Sequence, residues 1–275
     1  MIDAYLDESG IHDGAEVCLI AGYFGGRGQW RKFGKAWEQV LGDFDVPLNE
    51  FHAQNLVKRT NFFHGWNTTQ SYELQLALAQ TIAQFRIHPV AHGVLVRDFF
   101  KLSLAERRFL TGATLTAEGQ LEETGKPKQP YFAVFQPVVK RVLSHAEVGG
   151  KAHFFLGPDR PFANYATGLY LRLKNNPLFP HRERFGDVGF PLAKETPGLQ
   201  AADLLVHILY LDTQNRVQTR LMHTLGTPSE LIRILITNVR HKEDLVYQDE
   251  KLIRETLKLI PVDQRGELLK EDLRS

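Results

Sequence analysis

The chain has 275 residues, of which 43% are hydrophobic, 24% charged and 11% aromatic, with a mean hydropathy of -0.26. This is the composition of an ordinary globular protein and excludes a disordered, collagen-like or coiled-coil chain. Lys and Arg number 33 against 32 Asp and Glu, a formal net charge of +1, so no long-range field draws the whole molecule to a polyanion and any such site is local.

The only cysteine, Cys18, lies inside the apolar run Val17-Cys18-Leu19-Ile20. That excludes an intrachain disulfide framework and a cysteine zinc centre, and fits a reducing compartment. The first residues carry Asp3, Asp7 and Glu8 instead of a basic segment followed by an apolar one, and no apolar run approaches the roughly 18 residues of a membrane span. A cytoplasmic protein without membrane contact is expected.

Ile2, Ala4 and Leu6 alternate with Asp3, Tyr5 and Asp7, which predicts a half-buried strand ended by Ser9-Gly10. The continuous apolar run from Ala15 to Phe24 predicts a central strand, so residues 1–24 read as a hairpin. Trp30, Phe33, Trp37 and Val40-Leu41 recur at helical spacing. A second helix is predicted over 68–86 and a strand over 87–96, where Pro89 indicates an edge or an irregular start. Residues 97–121 give a mixed signal and 118–129 an exposed loop. Helix returns over 131–145, strand over 151–156, helix over 164–173, extended chain over 183–190 and strong helix over 197–211. The remainder reads as helical and charged. These elements predict an α/β protein with one domain over 1–212 and a helical C-terminal extension over 213–275 packed on it.

The segment from Leu199 to Tyr210 is apolar except for Gln200, Asp203 and His207, whose offsets of three and four place them on one stripe of a helix. Thr196 suits the N-cap and Pro197 the first helical position. A helix apolar almost all round is buried, and a carboxylate on it must be paired, protonated or bound to a cation. Asp7 stands where the first strand ends, and Asp159 just past another strand end; ligands of α/β sheets gather there. Asp7-Glu8-Ser9-Gly10 also has ordinary turn composition. Carboxylates brought together repel one another, and Mg2+ or Mn2+ relieves that repulsion and can serve phosphodiester hydrolysis. Glu50 and His52 share a face if the chain is extended there, which makes His52 a candidate base or ligand.

Other templates fail. His88 and His92 fall about 13 Å apart on a strand. The glycines from Gly22 to Gly28 lack the dinucleotide spacing, and no Walker lysine occurs. Ser9 has no nucleophile-elbow setting. Arg216, Arg220 and His223 form a basic stripe able to touch phosphates, although most such stripes are solvated faces.

Tyr5-Leu6-Asp7-Glu8-Ser9-Gly10, Glu50-Phe51-His52-Ala53 and Gly198-Leu199-Gln200-Ala201-Ala202-Asp203-Leu204-Leu205 together resemble the family catalogued as domain of unknown function 3800, over roughly residues 2–212. The resemblance implies a ribonuclease H-like fold with a mixed five-stranded sheet and helices on both faces. It also implies a metal site of Asp7, Asp159 and Asp203, with Glu8 and His52 as companions. Gly157-Pro158 interrupts the strand before Asp159, and Glu195 is the alternative at that position. The function expected is a metal-dependent nuclease using Mg2+ or Mn2+ on DNA or RNA, with catalytic Asp7, Glu8, His52, Asp159 and Asp203. The alternative is a non-catalytic metal- or nucleic-acid-binding regulatory protein on the same fold. The C-terminal helices leave room for a homodimer or a partner protein.

Overall fold

The computed structural model describes residues 1–12, 14–112, 126–157, 160–176, 181–218 and 229–258, together with residue 179 and two-residue strands at 114–115 and 121–122. In chain order the elements are β1 (Ile2–Ser9), β2 (Val17–Gly26), α1 (Arg27–Asp43), α2 (Ala53–Lys58), α3 (Thr68–Ala83), β3 (Ile87–Leu95), α4 (Val96–Phe100) and α5 (Leu104–Leu110). Then follow β4 (Thr114–Leu115), β5 (Leu121–Glu122), α6 (Tyr131–His145), β6 (Ala152–Leu156), α7 (Arg160–Asn175), β7 (Phe185–Gly189), α8 (Pro197–Gln218), α9 (Glu230–Leu235), β8 (Leu245–Gln248) and α10 (Glu250–Lys258).

Six strands form one mixed sheet in the order β7-β6-β1-β2-β3-β8. The β1/β2 and β2/β3 pairs are antiparallel, and β6/β1, β7/β6 and β8/β3 are parallel. The sheet therefore has one strand more than the resemblance implied. The extra strand is β8, from the segment expected to be wholly helical, and α8 runs unbroken through residue 212.

Alternation along β1 divides the two cores. Ala4 and Leu6 enter one layer with Phe132, Phe135 and Val139 of α6 and Leu169, Tyr170 and Leu173 of α7. The opposite face meets α1, α3 and α8. There Trp30, Phe33, Trp37 and Leu41 follow one another every three or four residues along α1 and are all buried. β2 is central, buried along nine of its ten residues, which explains its unbroken apolar run. The turn out of β1 needs Gly10, whose φ is +72° and where a Cβ would lie 1.8 Å from the Val17 carbonyl oxygen.

The edge strand β8 is pinned by a charge. Asp244, fully buried, accepts from His145 Nε2 at 2.9 Å, faces Arg141 Nε at 3.3 Å and receives the backbone N–H of His241 at 2.9 Å. Gly93 on β3 lets the Tyr247 ring cross the strand, since a Cβ there would stand 2.6 Å from it.

Removing one member of a buried charge network leaves its partners uncompensated. Asp244→Ala is expected to cost about 3 kcal/mol in urea denaturation, whereas Glu243→Ala, whose side chain is 67% exposed and 3.9 Å from Arg141, should stay within about 0.5 kcal/mol.

Candidate active site

A cleft of about 620 Å3 opens at the carboxyl end of β1 and is lined by Asp7, Glu8, Glu50, His52, Lys194 and Asp203, with Asn49, Asn55, Asn61, Gly157 and Gln200 among its other walls. Four of the five expected site residues, Asp7, Glu8, His52 and Asp203, thus line one space, although they come from three distant segments. The fifth, Asp159, lies outside the described residues. Glu195, its alternative, ends the short 3-10 turn Ala193–Glu195; its neighbour Lys194 lines the cleft instead.

Each wall has a local cause. β1 carries Asp7 in register with Ala21 of β2. On its other side Gly157 donates its N–H to the Leu6 carbonyl at 3.2 Å, one residue past the end of β6. A Cβ on Gly157 would lie 2.5 Å from Asp7 Oδ1 and 3.7 Å from Glu8 Oε2, so the missing side chain leaves the room that these carboxylates occupy. Glycine at this position makes space for Asp7, while Pro158 and Asp159 lie outside the described residues.

α8 supplies the opposite wall. Its start is as expected in that Pro197 occupies the first helical position, but the Thr196 hydroxyl donates to the Leu192 carbonyl at 2.9 Å. The polar stripe divides its work. Gln200 accepts from Trp37 Nε1 at 2.8 Å and donates to the Leu48 carbonyl at 2.7 Å, tying α8 to α1 and to the 3-10 turn Leu48–Glu50 that holds Glu50. Asp203 Oδ2 accepts the Ala53 N–H at 2.7 Å. The N-cap residue of α2, His52, makes no side-chain cap bond, so Asp203 serves one of the N–H groups that a helix start leaves unpaired. His207 is buried and its Nε2 has no hydrogen-bond partner.

Burial raises the Asp203 carboxyl above its ordinary value, while His52, with Nδ1 3.9 Å from Oδ2, and the Ala53 N–H draw it back. His207 is pushed down to about 4, first by burial and then by the positive charges of His52 and Lys58. The His52 side chain is 55% exposed and stands at solvent. His88 and His92 lie on β3 as expected: His88 Nδ1 meets the Asn238 carbonyl, and burial pushes His92 down to about 4 against a bond to Gln248. Arg216 of the basic stripe pairs with Asp212 at 2.6 Å; Arg220 and His223 lie outside the described residues.

The donors are carboxylates and one imidazole, the set that suits a hard, oxygen-seeking dication. Among the described residues, no three His, Cys, Asp or Glu side chains stand together closely enough to hold a metal ion. No helix among them is long and apolar enough to cross a membrane. The fold and site define an α/β protein with an acid-lined cleft at the carboxyl end of its first strand. No family model, curated protein or solved structure matches the chain.

The two shifted groups carry opposite consequences for stability. Asp203 is raised in the folded state, so its contribution is lost as pH rises from 3.8 through its folded value. Asp203→Asn, which keeps an acceptor for Ala53, should therefore be more stable than wild type at pH 7, an advantage that shrinks towards pH 3.8 in chemical denaturation. His207 is lowered, so the protein loses stability as pH falls from 6.5 towards 4. In His207→Leu that acid-side slope should be shallower.

Proposed function

We propose that the protein is a divalent-metal-dependent nuclease of the domain of unknown function 3800 family, built on a ribonuclease H-like sheet and hydrolysing phosphodiester bonds in DNA or RNA. The observation that carries this reading is the single cleft into which Asp7, Glu8, His52 and Asp203 converge from β1, the start of α2 and α8. Asp7 and Asp203, with Asp159 as third carboxylate, would hold Mg2+ or Mn2+, whose charge stabilises the phosphoryl oxygens and lowers the pKa of water.

The chain's own groups divide the remaining work. Asp203 is fixed by Ala53 and presents a desolvated carboxylate. His52, exposed and 3.9 Å from Asp203 Oδ2, receives a proton from the attacking water, and Asp203 stabilises the imidazolium so formed. Lys194, on the wall of the cleft, attracts the phosphate. One observation favours the non-catalytic binding reading: the bond from Ala53 gives Asp203 a structural task that needs no metal.

Cleavage of labelled single- and double-stranded DNA and RNA in Mg2+, Mn2+ or EDTA separates the two. Activity is expected only with metal, absent in Asp7→Asn and in Asp203→Asn, and reduced roughly 10²-fold or more in His52→Ala. Metal at about 100 times its dissociation constant should stabilise wild type by about 2.7 kcal/mol, and neither Asp variant should show this gain. Full activity in either Asp variant overturns the nuclease reading. No cleavage and no metal-dependent stabilisation in wild type leaves the binding protein.

A further inference from the structure

β6 carries two adjacent phenylalanines with opposite fates. Phe154 is buried between α7 and the sheet. Phe155, on the other face, is only half-buried and belongs to neither core. It pairs in register with Tyr5 of β1, and the two rings lie 4.8 Å apart at 18°, a stacked pair. Tyr5 in turn meets the edge of Trp30 at 4.6 Å and packs under Gly198 of α8. On the far side of Phe155, β7 offers Gly189, without a side chain.

Alternation puts Tyr5 on the face that carries Asp7 two residues later, about 6.6 Å along the strand. On the same face two residues earlier, Asp3 holds Arg27 at 3.1 Å, with the arginine side chain still 64% exposed. A cation, a stacked aromatic pair and the acid-lined cleft therefore follow one another along one strand.

One face of the Phe155 ring is covered by Tyr5 and only a glycine stands beside the other, which leaves room for a flat apolar group, and unpaired bases are such groups because every base has a π-face. A base in a duplex is covered by its neighbours and has no free face to offer. We propose that Phe155, backed by Tyr5, is a stacking platform that seats one base of a single-stranded nucleic acid as its backbone passes from Arg27 into the Asp7–Asp203 cleft. This rests on the nucleic-acid part of the reading above, and it assigns that site a single-stranded substrate.

The test is fluorescence anisotropy of labelled dT15, rU15 and a blunt 15-base-pair duplex with the full chain in EDTA, where nothing is cleaved. Wild type is expected to bind both single strands more tightly than the duplex. Phe155→Ala should weaken single-strand binding roughly tenfold or more, Phe155→Leu nearly as much, and Phe155→Trp should restore it. Phe100→Ala, an exposed phenylalanine on α4, should change nothing. Urea midpoints separate a folding defect from a binding one, and the tryptophan variant keeps the test decisive if the alanine variant fails to fold.

Wild type that binds neither single strand, affinity unchanged in Phe155→Ala, or preference for the duplex overturns the platform. So does a wild-type dimer that Phe155→Ala converts to monomer, which would make the face a subunit contact. Because binding is read without metal, the platform can stand when the Asp variants refute cleavage, and can fall when they support it.

Discussion

α8 packs along β1 and β2 with an almost wholly apolar surface, and the three polar side chains it carries into that contact decide what the rest of the molecule must provide. Gln200 is answered on both sides, by Trp37 from α1 and by the Leu48 carbonyl. Asp203 has one oxygen bonded to Ala53. His207 has a ring nitrogen with no partner at all. A buried polar group without a partner costs roughly 1–3 kcal/mol, so satisfaction falls steadily along one stripe of one helix. The chain between α1 and α3 is shaped by this demand: the turn at Leu48 and the start of α2 both lie where α8 needs their backbone groups.

The place of the cleft follows from strand direction. β1 is antiparallel to β2 but parallel to β6, so the carboxyl ends of β1 and β6 open at the same end of the sheet. Ligands of open α/β sheets bind outside such ends. Gly157 extends the β1 pairing by one hydrogen bond and adds no side chain, which keeps that opening free for Asp7 and Glu8. The segment from β7 to α8 then passes across it and contributes Lys194.

Much of this was legible in the residues. β1 and α1 bury their apolar residues periodically, β2 and the first half of α8 are apolar almost throughout, and for α6 the expected span coincides with the observed one. The polar stripe of α8 pointed to the helix that walls the cleft. What the pattern could not carry was the tertiary use of each member, because a glutamine bridging an indole and a backbone carbonyl and an aspartate capping a distant helix look alike in periodicity. β8 was hidden for a different reason. It has four residues between the charged clusters Lys242-Glu243-Asp244 and Asp249-Glu250-Lys251, and it is held by Asp244 and Tyr247 rather than by a long apolar alternation. Gly157 does follow the end of β6, as expected, but the space it leaves depends on Asp7, 150 positions earlier, and no local pattern shows that.

The two unsettled side chains on α8 also bind the site's chemistry to its stability. The desolvation that raises the Asp203 carboxyl makes its charged form costly in the free protein, and any cation or proton brought beside it relieves that cost. His52 is the nearest group able to do so, yet at 3.9 Å and 55% exposed it compensates only in part. His207, one turn further along and depressed to about 4 by the same burial and by His52 and Lys58, remains neutral and adds no positive charge. The apolar faces of α8 thus leave Asp203 to be met from outside the helix, by the Ala53 N–H and by His52. Asn at 203 would keep an acceptor for the Ala53 N–H without that desolvation cost, whereas Leu would leave this N–H of α2 unpaired.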